Sequence, residues 1–317
     1  MSLLTEIPLN PAPEWGEAST FKGYGAKSIR YAVFPAQGRP QKGTVIVLPG
    51  RNESIEKYFE TVRDLSARGL STAILDWRGQ GGSERLLRNP SRGYVDSFGD
   101  YVRDLEIFFR DVVLPDCRGP FFILGHSTGS TVALLAAPAM TNRVQRMVLI
   151  APLLEFTRQP VSGRTLKFLT SLLFGLGLGS LYISGGARPA GGYPFEGNKL
   201  TTDPKRFARN TAIYDAAPQL AMGGPTVAWV RAALLAAEQV KDPEFMARIG
   251  VPILFVAAGA DEVVSTPAVE DYARRLRSGS LVTIDGARHE ILQEADVYRE
   301  QFLAAFDAFV PGGSTTI

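Results

Sequence analysis

Short apolar runs alternate with longer segments of mixed polarity along most of the chain. The runs are rich in β-branched or aromatic residues, and they are Thr44–Leu48, Thr72–Leu75, Phe121–Leu124, Arg146–Ile150, Pro252–Ala257 and Ser280–Ile284. A continuous apolar run of this length is typical of a strand that is buried on both faces, as in a parallel sheet. We therefore predict that these runs form the central strands of a parallel sheet.

The segments between the runs carry helical patterns. The predicted helices are Ser54–Arg68, Val95–Val113, Thr128–Ala137, Thr226–Gln239 and Pro267–Arg277. In the second of them, apolar residues recur at three- and four-residue spacing from Val102 to Val112, which defines one face of a helix. Before the alternation begins, Phe21–Phe34 predicts an antiparallel hairpin or edge pair. Strand–helix alternation predicts a mostly parallel sheet with helices on both sides, an α/β fold.

One long segment, residues 152–222, interrupts the alternation. It is rich in glycine and proline and contains the apolar stretch Phe168–Ile183. A long break of this kind usually has a function. We interpret it as a helical cap, or lid, inserted over the carboxyl edge of the sheet, where open α/β sheets bind ligands. The core then consists of residues 1–151 and 223–317. Glycines interrupt the apolar stretch, so an apolar helix covering a site is favoured over a membrane span.

Composition narrows the class of protein. The chain has 317 residues, of which 45% are hydrophobic and 21% charged, as in an ordinary globular enzyme. The net charge is only +2, and the sequence has no block of like charges. Both features argue against nucleic acid as a partner, which usually needs a concentrated basic stripe. The single cysteine, Cys117, cannot form an internal disulfide. No group of His, Cys or carboxylate residues has metal-ligand spacing, so we expect neither a metal nor an organic cofactor. Without a secretory pattern at the N-terminus, we expect a cytoplasmic location.

A candidate nucleophile stands in the pentapeptide Gly125–Gly129, with the sequence Gly-His-Ser-Thr-Gly. This G-x-S-x-G pattern lies between a predicted strand and a predicted helix, which is the context of a nucleophile elbow. The two glycines allow a sharp turn in which the backbone passes close to its neighbours. We therefore predict that Ser127 is the nucleophile of a serine hydrolase.

A serine hydroxyl needs a general base, and the chain has only two histidines. His126 directly precedes Ser127, so its side chain should point away from the hydroxyl and make packing contacts or a local hydrogen bond. His289 follows the last predicted strand and can reach the carboxyl edge of the sheet, so we predict that it is the base. Asp261, which follows the strand Pro252–Ala257, is the favoured acid, with Asp285 as the alternative.

The negative oxygen of a tetrahedral intermediate needs backbone N–H donors. The amide of Thr128, directly after the nucleophile, is one candidate. The second comes from the loop Pro49–Glu53, where the main-chain N–H of Arg51 is favoured. The guanidinium of Arg51 is expected to face either solvent or an anionic group of the substrate.

Together these motifs resemble the monoacylglycerol lipase and bacterial lysophospholipase branch of the α/β-hydrolases, from about Phe21 to Phe309. The resemblance includes the loop Asp76–Ser83 and the segments Gly259–Val264 and Gly286–Leu292. The branch commonly has His-Gly at the start of the oxyanion loop, where this chain has Pro49-Gly50. The resemblance implies the α/β-hydrolase fold with an inserted cap, and bacterial lysophospholipases are the nearer relatives.

The leading hypothesis is an enzyme that hydrolyses a carboxylic ester of a lipid-like substrate, a lysophospholipid or a monoacylglycerol. Ser127, Asp261 and His289 would form the triad, and the apolar stretch Phe168–Ile183 would contact an acyl chain or a membrane surface. The same triad also serves peptidases, amidases and C–C bond hydrolases. A hydrolase-like scaffold that only binds a ligand is a third, less favoured, hypothesis.

Overall fold

A computed structural model describes residues 3–38, 40–157, 161–189 and 192–310, and the structural statements below refer to these residues. Its strands are β1 (Glu17–Lys22), β2 (Ser28–Phe34), β3 (Gly43–Leu48), β4 (Leu70–Leu75), β5 (Phe121–His126), β6 (Arg146–Ile150), β7 (Ile253–Ala258) and β8 (Gly279–Ile284). They form one sheet in the order β1-β2-β4-β3-β5-β6-β7-β8. Each apolar run identified in the sequence lies almost entirely within one of these strands.

The sheet is mostly parallel, as predicted. β1 pairs antiparallel with β2, and β2 pairs antiparallel with β4, whereas all pairs from β4 to β8 are parallel. The predicted hairpin is therefore present, although its first strand begins earlier, at Glu17. Every residue of β3 and of β7 is buried, which explains why these strands are apolar without alternation.

Helices flank the sheet and confirm the predicted α/β class. They are α1 (Phe59–Ala67), α2 (Phe98–Phe108), α3 (Leu114–Asp116), α4 (Thr128–Met140), α5 (Gly163–Gly175), α6 (Pro204–Ala216), α7 (Val227–Lys241), α8 (Pro243–Ala247), α9 (Thr266–Arg275) and α10 (Asp296–Phe309). A 3-10 turn, Ile55–Tyr58, leads into α1, and a π-helical turn, Phe109–Val113, follows α2. The sequence pattern did not predict α6. This helix buries few residues and most of its side chains are polar, so it lacks the apolar periodicity that indicates a helix.

The strand order determines where a ligand can enter. The chain moves from β3 to β4 on one side, and from β4 it then crosses past β3 to β5 on the other side. At such a reversal the connections leave in opposite directions and open a crevice at the carboxyl ends of the strands. The loops that follow β3 and β5 flank this crevice.

Between β6 and β7, the segment 152–222 contributes α5 and α6, and α7 follows it. The apolar stretch Phe168–Ile183 is not one continuous helix, because α5 ends at Gly175 and irregular backbone follows. In the described part of the chain, no helix has the length and apolarity required to cross a membrane.

Candidate active site

Ser127 lies at a tight turn between β5 and α4. Its backbone φ is 49° and its ψ is −110°, a strained conformation for a residue with a side chain. A Cβ added to Gly125 would lie 2.9 Å from the backbone of Ser130, and one added to Gly129 would lie 2.0 Å from the carbonyl oxygen of Leu48. Only glycine fits at either position. The structure thus places Ser127 on the strand–turn–helix elbow that the pentapeptide predicts.

A carboxylate holds the imidazole of His289. Nδ1 of His289 lies 2.7 Å from Oδ2 of Asp261, and Oδ1 of Asp261 accepts from the backbone N–H groups of Val263 and Val264 at 2.7 and 2.9 Å. Burial alone would raise the pKa of Asp261, but His289 and these N–H donors outweigh it and hold that pKa below its ordinary value. An ionised Asp261 accepts a hydrogen bond from Nδ1–H of His289, which leaves Nε2 free to take a proton from a hydroxyl.

Asp285, the alternative acid, is differently placed. Its side chain is exposed. Its backbone packs closely against Gly259, where an added Cβ would lie 2.8 Å from the Cα of Asp285. Within the described residues it makes no hydrogen bond to His289, whose carboxylate partner is Asp261.

The main-chain amides of Arg51 and Thr128 lie on neighbouring loops. β3 and β5 are adjacent, with Leu48 opposite Gly125, so the loops that follow them leave the sheet side by side. Thr128 is the first residue of α4, where amides have no partner inside the helix. Neither amide donates a hydrogen bond to any residue that the structure describes. Both are therefore available to an oxyanion.

The loop that follows β4 holds the loop Pro49–Glu53 in place by hydrogen bonds. The indole N–H of Trp77 donates to the carbonyl of Pro49 at 2.8 Å, and Nε2 of Gln80 donates to the carbonyl of Gly50 at 3.0 Å. Oε1 of Gln80 accepts from the amide of Asn52 at 3.2 Å. Trp77 and Gln80 therefore position the loop that carries the main-chain amide of Arg51.

His126 connects the two sides of the site. Its Nε2 lies 3.1 Å from the carbonyl oxygen of His289, and its Nδ1 lies 3.1 Å from a carboxylate oxygen of Glu53. Both partners can accept hydrogen bonds, so these contacts favour the form of His126 in which both ring nitrogens carry a proton. Burial alone would lower the pKa of His126, but Glu53 outweighs burial and raises it. Since Glu53 also accepts a hydrogen bond from the amide of Gly50, His126 and Glu53 connect the loop Pro49–Glu53 with the loop that carries His289.

A buried ion network surrounds this connection. Nζ of Lys57 lies 2.7 Å from Glu53 and 2.6 Å from Glu290, and the hydroxyl of Tyr58 donates to Glu53 at 2.5 Å. Burial would raise the pKa of Glu53, but Lys57 and His126 hold it well below the usual range. Sequence reasoning missed Lys57 and Glu290. The four-residue spacing of Glu53 and Lys57 is a signal for the first pair, whereas the contact with Glu290 depends on tertiary structure.

A cavity of about 610 Å³ brings these groups together. Ser127, Thr128, His289 and Arg51 form part of its wall, and residues of the segment 152–222 form another part. Several lining side chains are aromatic, and all of these except Trp229 belong to the segment 152–222: Phe156, Tyr193, Phe207, Tyr214 and Trp229. The volume is typical of a site for a small organic ligand.

The guanidinium of Arg51 turns inward rather than to solvent. Its Nη2 donates to the carbonyl of Gly223 at 2.7 Å, and its Cζ lies 5.2 Å from the ring centroid of Trp229. Of the two orientations considered from the sequence, the one facing solvent is not the one observed.

A mostly parallel sheet, a serine on a strand-to-helix elbow and a histidine–aspartate pair after the last strands are the arrangement of an α/β-hydrolase. The chain belongs to the family Hydrolase_4, described as serine aminopeptidase, S33, which matches residues 39–296.

Similar proteins agree with this family. The chain is 33% identical over 304 residues to lysophospholipase L2 of Escherichia coli K12, covering 92% of this chain and 87% of that protein. It is 27% identical over 256 residues to the monoglyceride lipase of Homo sapiens, covering 80% and 77%. A crystal structure of monoglyceride lipase from Saccharomyces cerevisiae superposes with a TM-score of 0.75 at 17% identity, covering 97% and 99%. The predicted resemblance and the α/β-hydrolase fold are confirmed.

Proposed function

We propose that this protein is a serine hydrolase that cleaves a carboxylic ester of a lipid-like substrate through an acyl-enzyme on Ser127. The observation that carries the proposal is the cavity that Ser127 and His289 share, with Asp261 holding His289 at 2.7 Å. Relatives named lysophospholipase and monoglyceride lipase support the class of reaction. The protein is accordingly assigned to the carboxylic ester hydrolases.

Each residue has a defined role in the proposed mechanism. Oγ of Ser127 attacks the ester carbonyl while Nε2 of His289 takes its proton, and the amides of Arg51 and Thr128 bind the oxyanion. The tetrahedral intermediate collapses, and His289 returns the proton to the leaving alcohol. Water then attacks the acyl-enzyme with His289 again as base, which releases the acid and restores Ser127. Asp261 keeps the imidazole in the correct tautomer throughout.

A lysophospholipid or a monoacylglycerol is the proposed substrate. Five aromatic side chains line the cavity, namely Phe156, Tyr193, Phe207, Tyr214 and Trp229. Aromatic walls bury an acyl chain well, because each ring removes a large apolar area from water. Amide hydrolysis is the second candidate, since the family description names an aminopeptidase.

The proposal includes a cap formed by residues 152–222, inserted between core parts 1–151 and 223–317. It is supported by the position of α5 and α6 in the chain and by the residues of this segment that line the cavity. The cap also presents an apolar face. Phe168, Leu172 and Leu176 recur every four residues, and their exposed fractions are 66%, 50% and 65%. We propose that this face contacts a membrane surface peripherally, as part of a cytoplasmic protein.

The test is a substrate panel applied to the wild type and to Ser127→Ala. We expect the wild type to hydrolyse acyl esters of glycerol or glycerophosphate faster than aminoacyl amides, and Ser127→Ala to lose activity on all of them. A fluorophosphonate probe should label the wild type at Ser127. Ester hydrolysis that persists in Ser127→Ala, or a wild type that the probe does not label, contradicts the mechanism. A preference for amides favours the second candidate.

A further inference from the structure

The guanidinium of Arg51 has no carboxylate partner among the described residues, although Glu53, Glu196 and Glu290 line the same cavity. Its Nε is buried and has no hydrogen-bond partner among the described residues, and its Nη2 bonds only to the carbonyl of Gly223. The phenols of Tyr101, Tyr182 and Tyr193 lie near it. Burial lowers the pKa of Arg51 to about 10, so the guanidinium still carries its charge at neutral pH.

The three other basic side chains on the wall of the same cavity are either paired with carboxylates or exposed to solvent. Lys57 contacts Glu53 and Glu290 at 2.7 and 2.6 Å. Arg188 contacts Asp215 at 3.2 Å. A third, Lys199, is exposed to solvent. Arg51 differs from these three side chains, because its guanidinium packs into the wall of the cavity without an anionic partner from the described residues.

This arrangement leaves the cation incompletely compensated. A buried charge is costly unless an opposite charge or several hydrogen bonds accompany it. The Trp229 ring, 5.2 Å from Cζ of Arg51, offers some compensation through its π face. The planar guanidinium is also the side chain best suited to two parallel hydrogen bonds with a phosphate group. An anion carried by the ligand would complete the pocket.

The position of Arg51 indicates which part of an ester would carry that anion. The carboxylate of the released acid forms at Ser127, next to the amides of Arg51 and Thr128. The guanidinium instead lies at Gly223 and Trp229, away from the main chain that holds the oxyanion. A charge there belongs to the alcohol part of the substrate. In a lysophospholipid that part contains a phosphodiester, whereas in a monoacylglycerol it is neutral.

We infer that the Arg51 side chain binds the phosphodiester of the substrate head group and makes the enzyme select lysophospholipids over monoacylglycerols. This inference rests on the proposed function and adds a residue that determines specificity. The guanidinium contributes to ground-state and transition-state binding of the phosphodiester substrate alike, since the phosphate takes no part in the chemical step.

The test compares two substrates with the same short acyl chain, a lysophosphatidylglycerol and a monoacylglycerol, below their micellar concentrations. We expect Arg51→Met to lower the ratio of kcat/KM for the phosphodiester to kcat/KM for the neutral ester by about 10- to 100-fold, the range for a charge-assisted hydrogen bond. Arg51→Lys should retain part of the ratio. Arg188→Met, which removes a paired cation from the same wall, should leave the ratio unchanged. An equal loss on both substrates in Arg51→Met overturns the inference and assigns the side chain a role in holding Gly223 and Trp229.

A binding measurement separates this inference from the proposed function. Calorimetry on the Ser127→Ala protein would compare the ether analogue of the lysophosphatidylglycerol, which has no ester, with an alkylglycerol and with inorganic phosphate. We expect the phosphodiester ether to bind more tightly than the alkylglycerol, by a margin that Arg51→Met removes. Inorganic phosphate that binds as tightly as the ether, through Arg51, overturns the head-group assignment. If the wild type hydrolyses neither ester, the proposed function fails while this measurement still decides the role of Arg51.

Discussion

The loops that follow the central strands and the segment proposed as a cap, residues 152–222, use their residues in opposite ways. In these loops, polar side chains are buried and joined to one another, as in the contacts of His126 with Glu53 and with the carbonyl of His289. In the proposed cap, α5 buries only Thr170 and leaves a row of apolar side chains exposed. The first region keeps reacting groups at fixed distances, which catalysis requires. The second offers apolar surface to a ligand or a bilayer, for which adaptability matters more than fixed geometry.

The largest effect should follow from the carboxylate that orients His289. We expect Asp261→Asn to lower kcat/KM for an ester by about 10³- to 10⁴-fold, because an amide cannot hold the imidazole in its basic tautomer. Asp285→Asn is the matched control and should retain nearly full activity. A larger loss in Asp285→Asn than in Asp261→Asn would reverse the assignment of the acid.

The turn at Ser127 should not tolerate an added side chain, whereas the end of α5 in the proposed cap should tolerate one. A Cβ at residue 129 would lie 2.0 Å from the carbonyl oxygen of Leu48, so we expect Gly129→Ala to cost about 3 kcal/mol or more of unfolding free energy. At Gly175, the last residue of α5, an added Cβ meets nothing within 4 Å. Gly175→Ala should therefore stabilise the protein by about 0.5–1 kcal/mol. Urea unfolding measures both, and equal effects would refute the contrast.

The His126 contacts should make stability depend on pH. Because the folded state raises the pKa of His126 above its ordinary value, the bound proton stabilises the fold below about pH 6.5, and this contribution is lost as the pH rises through the raised pKa. The variant His126→Gln cannot bind this proton and lacks its contribution to stability. We expect the variant to be about 1–3 kcal/mol less stable than the wild type at pH 6, with a smaller difference at pH 9. A difference that grows with pH would contradict the protonated imidazole.

The smallest effect on stability should come from the exposed face of α5. Replacing Phe168 and Leu176 by serine should change unfolding free energy by less than about 0.5 kcal/mol per residue, since both are largely exposed. Partition onto phospholipid vesicles should nevertheless fall by about tenfold or more, because two apolar side chains are lost from the contact. Val297→Ser, at a residue 63% exposed on α10, is the control and should not alter partition. Unchanged partition of the double variant would refute the membrane contact.

The sequence predicted the sheet more completely than the helices of the segment proposed as a cap. Strand position, elbow and the order of serine, aspartate and histidine are local or ordered features, and the chain has only two histidines from which to choose. The sheet and the α/β class are confirmed, while the site residues stay predictions that the observed geometry supports. The cap was harder, because α6 has little apolar periodicity and α5 is only part of the apolar stretch from which a helix was inferred.

By itself, then, the sequence determined the type of fold and the candidate chemistry, because buried strands must be apolar and a nucleophile elbow requires glycines at its flanks. Only the tertiary structure decided which carboxylate contacts His289, which carbonyl lies next to the ring of His126 and where the guanidinium of Arg51 lies. Those contacts join residues far apart in the chain, such as Arg51 and Gly223, at 2.7 Å. No periodicity or local motif encodes such a pairing, since it arises when separate loops are brought to one edge of the sheet.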